Sequence, residues 1–354
     1  MTSGLGSYVT FDGRAHCETQ QAASQIREST MTEPFAFRPV NDERAWRLLL
    51  SRVDQPHLAQ TWAYGEAKQA VGVWRTSRRL ADMGGWRPRR CVMERGGHPV
   101  AILQLTDKSL AGMRWASRIY RGPLFLDGHI DEALVRDVYA ALRARWRLPL
   151  GVLAMAPALL ATHENHQLLT ELRFRDRGKL GSSSARIDLR PDEDELRWTL
   201  ASTWRNRLKK SERSGLTLMI SGDARDVEWL IERHVQNMRA KDFVGPAPAL
   251  IRALYRAAPS DFVVFQARLD NEPVGGIGVC LYGNTAEYCI GWFGSKGRPT
   301  NVGNYLYWHI VLEMKRRGYR YFDLGGYRAD EGLGHFKKGM CGVEYQLLNE
   351  WLAF

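Results

Sequence analysis

The same order of strands, turn and helix runs through this chain twice, and a chain that repeats itself on that scale has to build two similar units. In the first copy Arg90-Cys91-Val92-Met93-Glu94 reads as a strand, Gly96-Gly97 as a turn and 100–105 as the returning strand. In the second, 262–268 is the strand, Asp270-Asn271 the turn and 273–281 the return. A further strand follows each hairpin, at 115–120 and at 285–292. A helix comes next in both: 131–146 carries Leu134, Val138, Ala141 and Leu142 at helical spacing, and 302–317 carries Leu306, Ile310 and Met314. Each helix leads into a short strand, 151–155 and 319–324. Matching elements keep an offset of roughly 170 to 175 residues throughout, which favours duplication over coincidence.

At 354 residues the chain has room for two domains. The strand-hairpin-strand-helix-strand order resembles the acetyltransferase-like (GNAT) fold. The expected architecture is therefore α/β (α+β): two tandem GNAT-like domains, each a mixed, mostly antiparallel sheet flanked by helices. Gly178, Gly181 and Ser182-Ser183-Ser184 interrupt the pattern and put the boundary there, with the first domain at 35–180 and the second at 181–354. Residues 1–34 lack hydrophobic periodicity and read as a disordered extension. Two helices precede the first hairpin, one carrying Trp46, Leu49 and Leu50, the other at 62–70.

Arg and Lys exceed Asp and Glu by a formal charge of +11, which suits a polyanionic partner such as tRNA, a nucleotide diphosphate or an anionic lipid headgroup. The five cysteines form no C-x-x-C, which fits a reducing compartment and argues against a disulfide framework or a cysteine-held zinc. His163 and His166 lack ligand spacing, so no metal is expected. No stretch is long and apolar enough for a bilayer and no signal-like run opens the chain, so a cytoplasmic protein is expected, with at most peripheral membrane contact.

Three segments carry chemistry. In Gln60-Thr61-Trp62-Ala63-Tyr64-Gly65-Glu66-Ala67-Lys68, Tyr64 and Lys68 stand one helical turn apart. Such a pair serves either a solvated amphipathic helix or an aromatic surface with a cation reaching for phosphate. The second segment, 192–215, reads as one helix with a capping-box start at Asp192 and Glu195, a stop at Gly215, and Leu196, Leu200, Trp204 and Leu208 as a buried stripe. Off the stripe lie Arg205, Arg207, Lys209, Lys210 and Arg213, whose mutual repulsion calls for water or an anionic partner. The third is Tyr321-Phe322-Asp323-Leu324-Gly325-Gly326-Tyr327, followed by Gly332-Leu333-Gly334-His335-Phe336-Lys337-Lys338-Gly339-Met340. A strand ending in Asp-x-Gly-Gly lets backbone approach a ligand; Phe336 is expected to anchor the loop while Lys337 and Lys338 project as exposed charges, and Asp323 to brace the loop rather than act as base.

All three segments resemble motifs of the Fem-type ligases, which move amino acids from aminoacyl-tRNA onto peptidoglycan precursors. The first is similar to that family's Q-x-W-x-[YF]-G-x-x-K, whose lysine helps hold the acceptor's phosphates; this implies that role for Lys68, beside Tyr64. The second resembles R-x-x-[IL]-[RK]-[KR]-[AS]-x-[RK]-x-G, in which an arginine binds the acceptor's diphosphate, a role falling to Arg205 or Arg207. The third resembles [YF]-D-[FL]-x-G … F-K-x-G-[FM], whose lysine sits at the reaction centre; this implies Lys337 as the catalytic residue, with Asp323, Tyr327 and Lys338 as substrate-binding neighbours. Asn304-Tyr305-Leu306-Tyr307-Trp308 and Arg121-Gly122-Pro123 add supporting matches.

The resemblance thus implies an aminoacyl-tRNA-dependent aminoacyltransferase that forms an amide on an amine of a peptidoglycan precursor or a related peptide or metabolite, with no cofactor. An acyl-CoA-dependent N-acyltransferase acting on an amino sugar or amine is the alternative enzyme. A non-catalytic tRNA- or precursor-binding module is the alternative of another class. Against CoA, the pyrophosphate-binding [RQ]-x-x-G-x-[GA] turn is missing; Arg298-Pro299-Thr300-Asn301-Val302-Gly303 has the wrong spacing.

Overall fold

The computed structural model describes residues 34–72, 86–110, 113–128, 131–146, 151–178, 183–326 and 332–354. The extension expected to be disordered and Tyr327 lie outside the described residues. The first half contains β1 (Ala36–Pro39), α1 (Glu43–Ser51), α2 (Trp62–Ala70), β2 (Arg87–Arg95), β3 (His98–Leu110), β4 (Met113–Tyr120), β5 (Leu124–Phe125), α3 (Glu132–Arg145), β6 (Val152–Ala156), α4 (His163–Glu171) and β7 (Arg175–Asp176). The second opens with β8 (Ser183–Asp188), α5 (Glu193–Thr199), α6 (Ser202–Glu212), β9 (Thr217–Ser221), α7 (Ala224–Lys241) and α8 (Pro248–Ala257). It continues with β10 (Phe262–Leu269), β11 (Glu272–Tyr282), β12 (Thr285–Phe293), α9 (Val302–Arg316), β13 (Tyr321–Asp323), α10 (Gly332–Lys338), β14 (Val343–Gln346) and β15 (Trp351–Ala353).

The repeat read from the sequence is present in space. β2, β3, β4, α3 and β6 match β10, β11, β12, α9 and β13, and each copy has one parallel pair, β4 with β6 and β12 with β13. Side-chain caps start several helices where the sequence puts them: Asp131 accepts from Leu134 N–H, and Asp192 with Glu195 forms a capping box. The segment read as one helix is two. Leu200 turns extended, and the Ala201 N–H donates to the Gly339 carbonyl at 3.0 Å, tying the break to the end of α10. Its four apolar residues are nonetheless all buried.

Two sheets result, in the orders β1-β2-β3-β4-β6-β15-β7 and β14-β8-β13-β12-β11-β10-β9, with β5 paired to β3. They exchange strands. β8, which follows the first half, inserts between β13 and β14 of the second sheet, and β15 at the far end of the chain inserts between β6 and β7 of the first. Glu350 seals the return, pairing with Arg118 at 2.6 Å and Arg177 at 2.5 Å.

One hydrophobic cluster lies between the second sheet and α6 and α9; another belongs to the first half. A third is shared: Trp46, Leu50, Val92 and Ile102 pack with Leu230, Phe262, Val264 and Tyr282. The shared cluster and the exchanged strands hold the halves face to face and set where their functional groups meet.

Candidate active site

Gln60, at the head of the first motif, is 0% exposed and plugs the first sheet. Its amide nitrogen donates to the Gln104 and Tyr120 carbonyls at 3.1 and 2.8 Å, and its oxygen accepts from Gln104 N–H at 2.6 Å. Thr61 caps α2 by accepting from Tyr64 N–H at 3.1 Å. Gly65 lets the helix lie on β2 and β3, for a Cβ there would stand 2.5 Å from both the Arg90 guanidinium and the Gln104 side-chain oxygen. With α2 fixed in this way, Tyr64 and Lys68 face a cavity of about 290 Å³, lined also by Gln104, Thr106, Arg118 and Tyr120. The Lys68 ammonium lies 5.1 Å from the centre of the Tyr64 ring. Burial, with the charge of Arg118, lowers the pKa of Lys68; burial raises that of Tyr64. An anion entering this cavity would meet two cations already partly stripped of water.

The second centre lies where β12 and β13 part. They pair only from Thr285↔Tyr321 to Glu287↔Asp323. Beyond that Gly325 takes φ +72°, and a Cβ on it would sit 2.6 Å from the Tyr288 carbonyl. Lys337 fills the gap. Its ammonium donates to the Gly325 carbonyl at 3.2 Å and lies 4.4 Å from the Tyr288 ring centre. The expectation of an exposed loop lysine is corrected here: Lys337 is on α10, points inward and is 0% exposed. Phe336 packs beside Tyr307 and Trp204, at ring distances of 5.2 and 5.7 Å, and fixes the face that α10 turns inward.

Pairing across the second sheet puts Glu287, Asp323 and Arg186 in one row. Asp323 accepts from Ser184 Oγ (2.5 Å), Arg186 Nε (2.9 Å), the Tyr345 hydroxyl (2.5 Å) and Gly325 N–H (2.9 Å), so it ties β13, β8 and β14 to the turn. Glu287 accepts from the Tyr282 hydroxyl at 2.5 Å. Burial, then the neighbouring Asp323 charge, raises Glu287 to about 7. Burial lowers Lys337 to about 8, against the pull of Asp323 and Glu287. A carboxyl group and an amine poised near neutrality in one strand gap can both hold and move a proton.

His57 lies beside the first centre. Its ring lies 6.3 Å from Tyr120, and burial, with the charges of Arg121 and Arg186, lowers its pKa well below the usual value. Tyr64 in turn feels the charges of Arg118, Glu287 and Arg121. The other expected site residues lie elsewhere. Arg205 donates to the Trp198 carbonyl at 2.8 Å and stacks on its indole, and neither Arg205 nor Arg207 lines the Lys68 cavity. Lys338 is exposed, 3.8 Å from Glu344.

The sequence reading missed Glu287, Tyr288, Arg186 and Arg118. Glu287 left a signal: a lone acid in the apolar run Thr285-Ala286-Glu287-Tyr288-Cys289-Ile290 is a charge placed where a strand buries its face.

In the turn between β12 and α9, where a GNAT domain would cradle pyrophosphate, five N–H groups are bonded internally. Those of Gly297 and Arg298 donate to Gly294, that of Thr300 to Gly297, that of Asn301 to Arg298 and that of Val302 to Gly297. Phe336 closes over the start of α9, with ring atoms 3.4 Å from where a Gly303 Cβ would be.

Residues 200–338 match the family model described as an acetyltransferase (GNAT) domain. No curated protein sequence matches the chain. Among solved structures, FemX aligns with a TM-score of 0.71 at 14% identity, covering 88% of this chain and 96% of its own. A conserved protein of unknown function from Bacteroides thetaiotaomicron VPI-5482 aligns at 0.54 and 10% identity, covering 91% and 99%. A tandem GNAT protein from the clavulanic acid biosynthesis pathway covers 90% and 98% at 16% identity, with a TM-score of 0.48. At these identities the likeness is one of fold, and the chain has a Fem-type tandem GNAT fold.

Proposed function

We propose that this protein is an acyltransferase that moves an aminoacyl group from aminoacyl-tRNA to the amine of a phosphate-bearing acceptor, such as a peptidoglycan precursor or a related metabolite. The observation that carries this reading is the Lys337 ammonium, buried in the gap between β12 and β13 and braced by Gly325 and Tyr288. It follows the Fem-type motif resemblance, and two local features favour tRNA over acyl-CoA. Lys337 fills the gap between β12 and β13, and five N–H groups of the turn before α9 donate to the turn's own carbonyls.

In the reaction the acceptor nitrogen attacks the ester carbonyl carbon, the C–N bond forms, and the C–O bond to the tRNA ribose breaks. The amine's proton goes to the leaving ribose oxygen. The ester is already activated, so orientation and charge stabilisation supply most of the acceleration. Protonated Lys337 stabilises the oxyanion that develops on the carbonyl once the donor opens the β12–β13 gap that the lysine fills, while the Lys68 cavity takes the acceptor's phosphate.

The test supplies the protein with a pool of aminoacyl-tRNAs and, separately, with acyl-CoAs, together with candidate amines. Transfer from tRNA should vanish on ribonuclease treatment. Its apparent tRNA affinity should fall by about 10³ or more between 50 and 200 mM salt if six or more phosphates are neutralised. Robust transfer from a purified acyl-CoA, indifferent to ribonuclease, would overturn the tRNA reading.

A further inference from the structure

We propose that the outer face of α5 and α6 is a docking surface for single-stranded RNA, with a base stacked on Trp198 and the backbone crossing Arg205, Arg207, Lys209, Lys210 and Arg213. The inference deepens the proposed reaction by giving the donor RNA a place to bind, and rests on that reading.

Trp198 is 75% exposed, whereas Trp46, Trp146, Trp308 and Trp351 are among the most completely buried side chains. It is also held in place. Arg205 donates to the Trp198 carbonyl at 2.8 Å, and its guanidinium lies 4.8 Å from the indole centre. A fixed aromatic ring beside a cation is what a nucleobase next to its phosphate can occupy, whatever the base.

Among the described residues, the cations of α6 are not paired with carboxylates. Arg205, Arg207, Lys209, Lys210 and Arg213 make no ion pair among the described residues. The nearby acid Glu212 is taken by Arg197 at 2.7 Å. Glu193, Asp194 and Glu195 sit one helical turn before Trp198 on α5, so the acids flank the indole on the side away from α6. Elsewhere the chain routinely gives its arginines a carboxylate, as in Arg52–Asp127, Arg252–Glu228 and Arg320–Asp54.

Position supplies the link to chemistry. On the buried side of α6, Trp204 lies 5.7 Å from Phe336, the residue next to Lys337, and the start of α6 is bonded to Gly339. The basic face and the reaction centre are therefore two sides of one helical layer. An anionic membrane is the competing partner for tryptophan and cations. It would call for an exposed apolar stripe, and Trp198 is the only large exposed apolar side chain between 193 and 213.

The experiment measures binding of a labelled short single-stranded RNA ending in CCA, and of uncharged tRNA, at fixed salt. Trp198→Ala leaves charge and core untouched and should weaken binding about 5- to 150-fold, the worth of one stacked base; Trp198→Phe should keep most of the affinity. Lys209→Ala with Lys210→Ala should flatten the log–log salt slope by about 1.4. RNA affinity unchanged in Trp198→Ala overturns the proposal, as does Trp198-dependent binding of phosphatidylglycerol vesicles without any Trp198-dependent binding of RNA. Trp198-dependent RNA binding without aminoacyl transfer would sink the proposed reaction and leave the surface standing. Transfer at an unchanged tRNA KM in Trp198→Ala would do the reverse.

Discussion

Replacing Lys337 by methionine separates its charge from its volume. Alanine would not, because Lys337 is fully buried and truncation would open a void costing about 2–5 kcal/mol, mixing unfolding with lost chemistry. Methionine keeps the length and removes the ammonium. Two effects on stability then oppose each other. The cost of burying a cation disappears, while the Gly325 carbonyl loses a donor, a penalty of about 1–3 kcal/mol. The net change should stay within about 2 kcal/mol and show as a small shift in the melting midpoint. The rate should fall much further, by about 10²–10³ at saturation, the usual effect of removing a preorganised donor to a developing oxyanion. The pH profile carries a second signature. Lys337 holds the pKa of Glu287 down, so its loss should raise that carboxyl above about 7, and any acid limb that Glu287 sets should move up with it. The alkaline limb set by Lys337 near 8 should disappear, since the ammonium is needed and is lost as pH rises through that value. Single-turnover transfer of a labelled amino acid from charged tRNA, measured against pH, gives both readings. A Lys337→Met protein that melts normally and transfers within about threefold of the parent at every pH would refute the charge-stabilisation argument.

Three further outcomes follow from the geometry. Lys68→Ala should raise the acceptor KM about ten- to a hundredfold, the worth of a charge-assisted phosphate contact, with kcat nearly unchanged; a lowered kcat at normal KM would remove Lys68 from phosphate binding. Gly65→Ala should lower stability by about 1–3 kcal/mol in thermal melts, because its Cβ would stand 2.5 Å from Arg90 and Gln104, and an unshifted midpoint would show that α2 can lift freely. Glu350→Ala removes the carboxylate that pairs with both Arg118 and Arg177 and should cost about 3 kcal/mol, the low end for a buried pair because Arg177 is 41% exposed. Faster amide exchange at Trp351–Ala353 should accompany that loss; unchanged protection there would mean that Glu350 does not hold the exchanged strand.

The duplicated fold was legible in the sequence because its signals are local. Alternation marks β2 with β3 and β10 with β11, turn residues mark 96–97 and 270–271, and helical spacing marks α3 and α9; each is read within a dozen neighbours. Lys68 and Lys337 stand out as candidates for the same reason, since their motifs are short and contiguous. What the sequence could not show depends on partners far along the chain. The sequence marks Glu287 only as an acid in an apolar strand; its neighbours arrive when β13 brings Asp323 beside it and α10 brings Lys337 into the gap. Arg118 joins the Lys68 cavity and receives its counter-charge from Glu350, at the other end of the chain. Lys337 and Lys338 are adjacent and alike in sequence, yet one is buried between β12 and β13 and the other faces solvent, because a helix turns about 100° per residue and Phe336 fixes which side faces in. Exposure, counter-charge and proximity are set by the packing of distant segments, and for this protein the decisive packing is the strand exchange that brings the two halves face to face.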